Sequence, residues 1–187
     1  MEYHKNVMKV ALSGSLRELM TRNLFEKITI KKICDETGVI RATFYNYFDD
    51  KYDCLNWIVY HDMVDGTVSY VEKGDFGGII TVILNAVDEN RAFYKVAYQV
   101  TGQNDFEDMV RENAQILIKE YLKRYRKKNV LVKYSDDVLA NYFAAAFSFH
   151  IRSYAQSPKK VTVEEMKQVV IDLLNHSFTD FVDIKEQ

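Results

Sequence analysis

The chain has 187 residues, 48% of them hydrophobic and 28% charged, with a formal net charge of −2. These proportions exclude a disordered polymer and fit one or two small domains with a real core. One proline and seven glycines supply too little turn chemistry for a sheet-rich fold, so long helices are expected.

The sign of the charge is uneven. Residues 1–48 carry eight Lys/Arg against five Asp/Glu, and the remainder carries seventeen against twenty-two, so the N-terminal segment is the better partner for a polyanion. Cys34 and Cys54 are isolated thiols among apolar residues, expected as buried small hydrophobes in a reducing compartment. The opening "MEYHKNVMKVALSGSL" has no sustained apolar stretch or cleavage site. "FGGIITVILNAV" and "VLANYFAAAFSFHI" are too short to span a bilayer, so a cytoplasmic, membrane-free protein is expected.

Periodicity predicts about nine helices. The first runs from Lys5 to Leu24, with Val7, Val10, Ala11, Leu16, Leu19 and Met20 at helical spacing. Thr29 is a good N-cap for a short helix from Ile30 to Thr37, Gly38 supplies a tight turn, and a third helix covers Ile40 to Tyr47. Asp49 or Asp50 caps a fourth helix with Leu55, Ile58, Val59 and Met63 on one stripe. "EKGDFGG" reads as a connection. Helices follow over Ile79 to Glu89, Asn90 to Val100 and Phe106 to Lys128, with Gly102 and Asn104 as a C-cap and an N-cap between the last two. "KKNVLVKYS" is a linker. Asp136 to Gln156 and Thr162 to Val182 complete the set, the last opened by an acidic "TVEE" turn. "FGGIITVIL" is compatible with a strand as well.

The segment "TGVIRATFYNYF" bears most on function. Phe44 and Phe48 are i,i+4 partners and, with Ile33 and Val39, can close a small core against the first helix and Leu55. Arg41, Ala42, Thr43, Tyr45, Asn46 and Tyr47 fall on the other faces. Arginine suits guanine, asparagine suits adenine, a methyl suits thymine, and tyrosine hydroxyls suit phosphate. Short helix, glycine turn, short helix is the helix-turn-helix pattern. Lys31 and Lys32 flank a helix N-terminus able to receive phosphate, and Lys51 opens the next helix. Simple core packing would also explain an aromatic-rich short helix.

The ordered string "ITIKKICDETGVIRATFYNYFDDKYDCL" resembles the DNA-binding domain of the TetR family of bacterial repressors, over residues 5–55. That pattern runs apolar-Thr-apolar, a short helix, Gly-Val, Thr-Phe/Leu-Tyr, His/Tyr-Phe and a lysine at the start of the fourth helix. The resemblance implies phosphate contacts from Thr29, Tyr45, Tyr47 and Lys51, and base contacts from Arg41, Ala42, Thr43 and Asn46. One departure is Ile40, where family members often have a capping serine.

The resemblance further implies an all-α protein: a helix-turn-helix DNA-binding domain over residues 1–49, then a helical effector-binding and dimerisation domain over 50–187. It implies a transcriptional regulator, expected as a repressor, that binds double-stranded DNA as a homodimer on a palindromic operator. The alanines and all-round apolarity of "YFAAAFSFHI" and the stripe Val163, Met166, Val170, Leu173, Ser177 fit a two-helix interface, although a monomer core would use the same residues. "NRAFYKVAYQVTGQNDF" resembles a TetR subgroup that includes DhaS-type activators, where a protein co-activator carries the signal. The effector is thus a small molecule or a protein. A small-molecule pocket is expected among Tyr94, Tyr98, Phe106, Met109, Phe147 and His150, residues that plain core packing would equally place together. No metal, cofactor or catalytic role is expected: the chain contains no phosphate loop, HExxH or GxSxG.

Overall fold

The structure, a computed structural model, describes residues 2–128, 133–158, 161–176 and 180–181. Every regular element among them is helical. In chain order these are α1 (Glu2–Arg22), α2 (Ile30–Thr37), α3 (Arg41–Tyr45), α4 (Lys51–Met63), α5 (Val68–Lys73), α6 (Phe76–Glu89), α7 (Arg91–Ala97), α8 (Phe106–Tyr125), α9 (Asp136–Gln156) and α10 (Val163–Asn175), with short 3-10 turns at Phe25–Lys27 and Asp65–Thr67.

The expected end signals act as read. The Thr29 hydroxyl accepts from Lys32 N at 3.2 Å, and the Asp50 carboxylate accepts from Tyr52 N and Asp53 N at 2.7 and 2.8 Å. Thr162 and Glu165 form a reciprocal capping box at the start of α10, which satisfies two otherwise orphaned amides.

Four details differ from the sequence reading. The six-residue α5, closed by left-handed Gly74, was not anticipated, because so short a segment carries no readable period. "FGGIITVIL" is helix, and α6 begins at Phe76 inside the expected connection, because the Asp75 carboxylate caps it by accepting from Gly78 N at 2.8 Å. Gly78 is needed for close approach: a Cβ there would lie 2.2 Å from the Tyr70 ring. The cap of α8 is Asp105 rather than Asn104, and α7 ends at Ala97 with Tyr98, not Gly102, as its C-cap. The helix α10 ends at Asn175 rather than at Val182; Ser177 of the expected stripe, the expected helix end Val182, and residues 129–132 of the expected linker lie outside the described residues.

One contiguous core joins the N-terminal helices, through Leu12, Leu16, Phe44 and Phe48, to Ile80, Ile83, Phe106 and Tyr154 further along. Cys34 and Cys54 are free and buried within it. The helix α8 packs along α9, α10 lies on α6, and α1 touches both α4 and α7.

A polar junction lies where α1, α4 and α7 meet. Arg17 Nη2 donates to both oxygens of Asp62, at 2.6 and 2.7 Å, and the fully buried Tyr94 hydroxyl donates to Asp62 Oδ2 at 2.6 Å. The Arg17 guanidinium also lies 5.2 Å from the Phe93 ring centre. Burial, followed by the adjacent Asp62 carboxylate, pushes the Tyr94 hydroxyl well above its ordinary pKa, which keeps it a donor. Removing the carboxylate strands a largely buried cation, the costly half of any enclosed ion pair. Asp62→Ala is expected to lower the unfolding free energy by about 3–5 kcal/mol, and Tyr94→Phe by about 1–3 kcal/mol, both read from urea unfolding. An Asp62→Ala chain as stable as the parent would remove any structural role from this junction.

Candidate nucleic-acid interface

The interface is built on two short helices held from beneath. Ile33, Phe44, Phe48 and Leu55 are all buried to 2% exposure or less. The Phe44 and Phe48 ring centres are 5.7 Å apart, and Phe48 meets Trp57 edge-on at 6.0 Å. Between α2 and α3, Gly38 takes φ 76 and ψ 32, a left-handed conformation that side chains resist. Val39 N then donates to Cys34 O at 3.0 Å, and the Thr37 hydroxyl bridges to Ser15 Oγ at 2.8 Å, fastening the turn to α1.

Helix α3 has only five residues, and Ile40 gives it no side-chain cap. Its turn carries on through Asn46, Tyr47 and Phe48, whose amides donate to Thr43 O, Phe44 O and Phe44 O at 3.2, 3.0 and 3.0 Å. The expected base-reading set divides by exposure. Arg41, Ala42 and Asn46 are exposed and Thr43 is half-buried. Tyr45 is 50% exposed, its hydroxyl 3.4 Å from Arg41 Nη2, while Tyr47 is half-buried. These groups occupy the helix faces left over by the buried phenylalanine pair.

The cations beside α2 are lightly held. Lys31 pairs with Asp35 at 3.0 Å, both well exposed, and such a pair is worth little in water. Lys32 Nζ donates to Lys27 O at 3.1 Å. With Thr29, which is also exposed, they surround the free amides of the α2 N-terminus, where an anion is favoured.

Lys51 sits differently. Its ammonium donates inward to Phe25 O at 2.8 Å and Ile28 O at 3.1 Å and lies 4.4 Å from the Phe25 ring centre. Burial pushes its pKa down. This side chain holds the 3-10 turn and the residue before Thr29 against the start of α4, so it sets where α2 begins. The sequence signal that marks a lysine at this position does not reveal that inward hydrogen bonding.

The six residues expected around an effector separate. Tyr94, Tyr98, Phe106 and Met109 are buried at 1%, 6%, 0% and 8% exposure. Phe106 stacks edge-on with Tyr94 and Tyr98 at 6.0 and 5.0 Å, so these three rings pack against one another. Tyr98 retains a buried hydroxyl without a hydrogen-bond partner among the described residues. Phe147 and His150, by contrast, line a cavity of about 590 Å³ between α6, α8, α9 and α10. Tyr121, Phe143 and Leu174, which sequence reading missed, line it too; the i,i+4 pairing of Phe143 with Phe147 was the available signal. Burial pushes His150 below its ordinary pKa, towards the neutral imidazole. Among the described residues no group of three or more His, Cys, Asp or Glu is placed to hold a metal, and no helix is long and apolar enough to cross a membrane.

Lys51 and Tyr45 are expected to behave oppositely in the free protein. Lys51→Ala removes two charged hydrogen bonds and lowers stability by about 1–3 kcal/mol, whereas Tyr45→Ala leaves the unfolding midpoint within about 0.5 kcal/mol. Equal midpoints for Lys51→Ala and the parent would assign that lysine to the solvent side.

Residues 15–58 match the family described as bacterial regulatory proteins, tetR family, and residues 75–176 match one described as a transcriptional regulator C-terminal region. Among curated proteins the chain is similar to the HTH-type dhaKLM operon transcriptional activator DhaS of Lactococcus lactis, 25% identical over 89 residues, 48% of either chain. The match thus spans about half the length of that relative. Among solved structures it is similar to the dihydroxyacetone kinase operon activator DhaS, with TM-score 0.68 and 20% identity, covering 89% of this chain and 93% of that one. It is also similar to a TetR transcriptional regulator from Streptococcus agalactiae, with TM-score 0.59 and 17% identity over 92% and 96% of the two chains. At these identities the structures speak for the fold, while the second family match alone covers more than half of the 187 residues. The chain belongs to the TetR family of bacterial transcriptional regulators, which bind DNA.

Proposed function

We propose that the protein is a homodimeric repressor of the cytoplasm that reads a palindromic operator through residues 1–49 and responds to an effector held within residues 50–187. The observation that carries this reading is the outward set on α3 and its following turn. Arg41, Ala42 and Asn46 are exposed above the buried Phe44 and Phe48, where base edges can be met. Thr43 adds a methyl and hydroxyl at the margin. Thr29, Lys31, Lys32, Tyr45 and Tyr47 supply phosphate contacts around that set. Lys51 contributes through the position it imposes on α2, and its remaining proton can still serve a phosphate.

A palindrome requires two copies related by a two-fold axis, with reading helices ~34–36 Å apart. An exposed apolar stripe supports pairing: Val138, Tyr142 and Phe149 on α9 are 50%, 72% and 62% exposed, and Val169 and Leu173 on α10 are 44% and 47% exposed. Residues 138, 142, 145 and 149 recur at intervals of four, three and four, the spacing of a helix–helix seam. Two such pairs of helices would close a four-helix interface. An effector that prefers the more widely spaced dimer by ~2–3 kcal/mol then suffices to release the operator.

A second reading, activation through a protein co-regulator, is favoured by the likeness to DhaS, which is named an operon activator. The position of the bound site relative to the promoter separates the two, since an upstream site suits activation and an overlapping one repression.

Selection of bound sequences from a random duplex library tests the function itself. The parent is expected to return an inverted repeat, and Arg41→Ala or Asn46→Ala to lose preference at one position per half-site, costing ~1–3 kcal/mol there. Unaltered preference in both variants would contradict base reading by α3. For the dimer, Phe149→Glu is expected to give a helical monomer by light scattering and circular dichroism, with operator affinity reduced by at least roughly 100-fold. A dimer that persists in this variant would place the interface elsewhere.

A further inference from the structure

Resting on the effector reading, we infer that the cavity between α6, α8, α9 and α10 binds a neutral, largely apolar small molecule carrying one hydrogen-bonding group that meets His150. The argument begins with charge. In a chain that is 28% charged, no Lys, Arg, Asp or Glu among the described residues lines this cavity. A carboxylate, phosphate or ammonium ligand would lose its hydration and gain no counter-charge. The walls are instead aliphatic and aromatic, drawn from Ile80, Leu117, Phe143, Phe147 and Leu174. The volume of about 590 Å³ lies in the range that encloses drug-sized molecules, ~300–1,000 Å³.

Polar groups on the wall are few and differ in what they offer. The Tyr121 hydroxyl already donates to Gly74 O at 3.1 Å. His176 Nδ1 lies 2.8 Å from Asp172 O. His150 is half-buried, and among the described residues neither of its ring nitrogens has a hydrogen-bond partner. A neutral imidazole both donates and accepts, so a hydroxyl, amide or carbonyl on the ligand can pair with it. Tyr142 and Asn175 also line the cavity but are exposed, which leaves His150 as the half-buried polar group for a ligand. An apolar pocket with few polar groups is the usual composition of a small-molecule site.

The location gives binding a consequence. One wall belongs to the inner helices α6 and α8, and the other to α9 and α10, which carry the exposed apolar stripe. A ligand between the two layers changes how α10 rests on α6, and so changes the face presented to a second copy.

The test uses the full chain and a neutral apolar fluorophore, N-phenylnaphthylamine. Saturable binding of one molecule per chain is expected, weakened roughly tenfold or more by Ala146→Trp or Ile118→Trp, which fill the space from opposite walls. His150→Phe, which keeps the volume and removes the polar group, is expected to weaken it several-fold. The anionic relative anilinonaphthalene sulfonate should bind roughly tenfold more weakly than the neutral probe. Helical content and dimer size are recorded for each variant, and the two opposite-wall variants guard against a misfolded one. Absence of saturable binding, indifference to both tryptophans, or equal affinity for the sulfonate would overturn the inference. So would binding seen only in Phe149→Glu, since the second copy would then occupy the cavity. Duplex binding is measured in parallel: a chain that retains its operator but not the fluorophore overturns this inference alone. A chain that takes the fluorophore but ignores duplex DNA overturns the regulatory reading alone.

Discussion

Everything at the reading surface depends on two phenylalanines kept out of water. A helix of five residues cannot hold itself together, since helix nucleation is unfavourable and short segments gain few hydrogen bonds. Phe44 and Phe48, 0% and 2% exposed, pin the segment to Ile33, Leu55 and Trp57. Burying two such rings stabilises by about 3–6 kcal/mol in transfer free energy, enough to offset the absent cap at Ile40. Because neighbouring faces of a helix are fixed in angle, the same anchoring forces Arg41, Ala42 and Asn46 outward. The proposed recognition surface is the geometric complement of the core.

The proposed effector control needs a link between that surface and the helices behind it, and the polar junction at Asp62 is placed to be one. Asp62 belongs to α4, Arg17 to α1 and Tyr94 to α7, so one carboxylate ties the helix beneath the reading surface to the helices behind it. Charged hydrogen bonds at 2.6 and 2.7 Å in a largely enclosed site are strong and directional. Such a contact favours discrete arrangements over gradual deformation, because a partly broken one leaves a buried group unsatisfied. Lys51 does similar work at the other end of α4, holding the carbonyls of Phe25 and Ile28. A tilt of α4 therefore reaches the start of α2 through one side chain and α1 through another.

Much of this was legible in the residues. Thr29 and Gly38 announced the ends of α2, and the pair Asp49–Asp50 the start of α4, because each cap acts through a local bond that needs no tertiary context; of the pair, Asp50 is the cap. The buried set Ile33, Phe44, Phe48 and Leu55 followed from helical spacing alone, and so did the outward faces of α3. The inward role of Lys51 was not legible, since it depends on carbonyls 23 and 26 residues away. Nor was the Asp62 junction, which gathers residues from three helices. Of the residues grouped as a pocket, Phe147 and His150 line the cavity between α6, α8, α9 and α10, while Tyr94, Tyr98, Phe106 and Met109, of the same composition, are buried elsewhere in the core. Aromatic residues fill a helical core or line a void with equal ease, and only the packing decides.

The central claim is that the outward face of α3, with the cations beside α2, meets duplex DNA. Its most direct test is the affinity of the parent protein for its selected inverted repeat, followed as a function of salt. Phosphate neutralisation releases condensed counterions, so log K should fall linearly with log salt concentration, with a slope of about −0.9 for each phosphate neutralised. Lys31 and Lys32 on two copies predict a slope of roughly −4, flattened by about 2 when Lys32→Ala removes one contact per protomer. A flat dependence, or no duplex binding at low salt, would contradict the account.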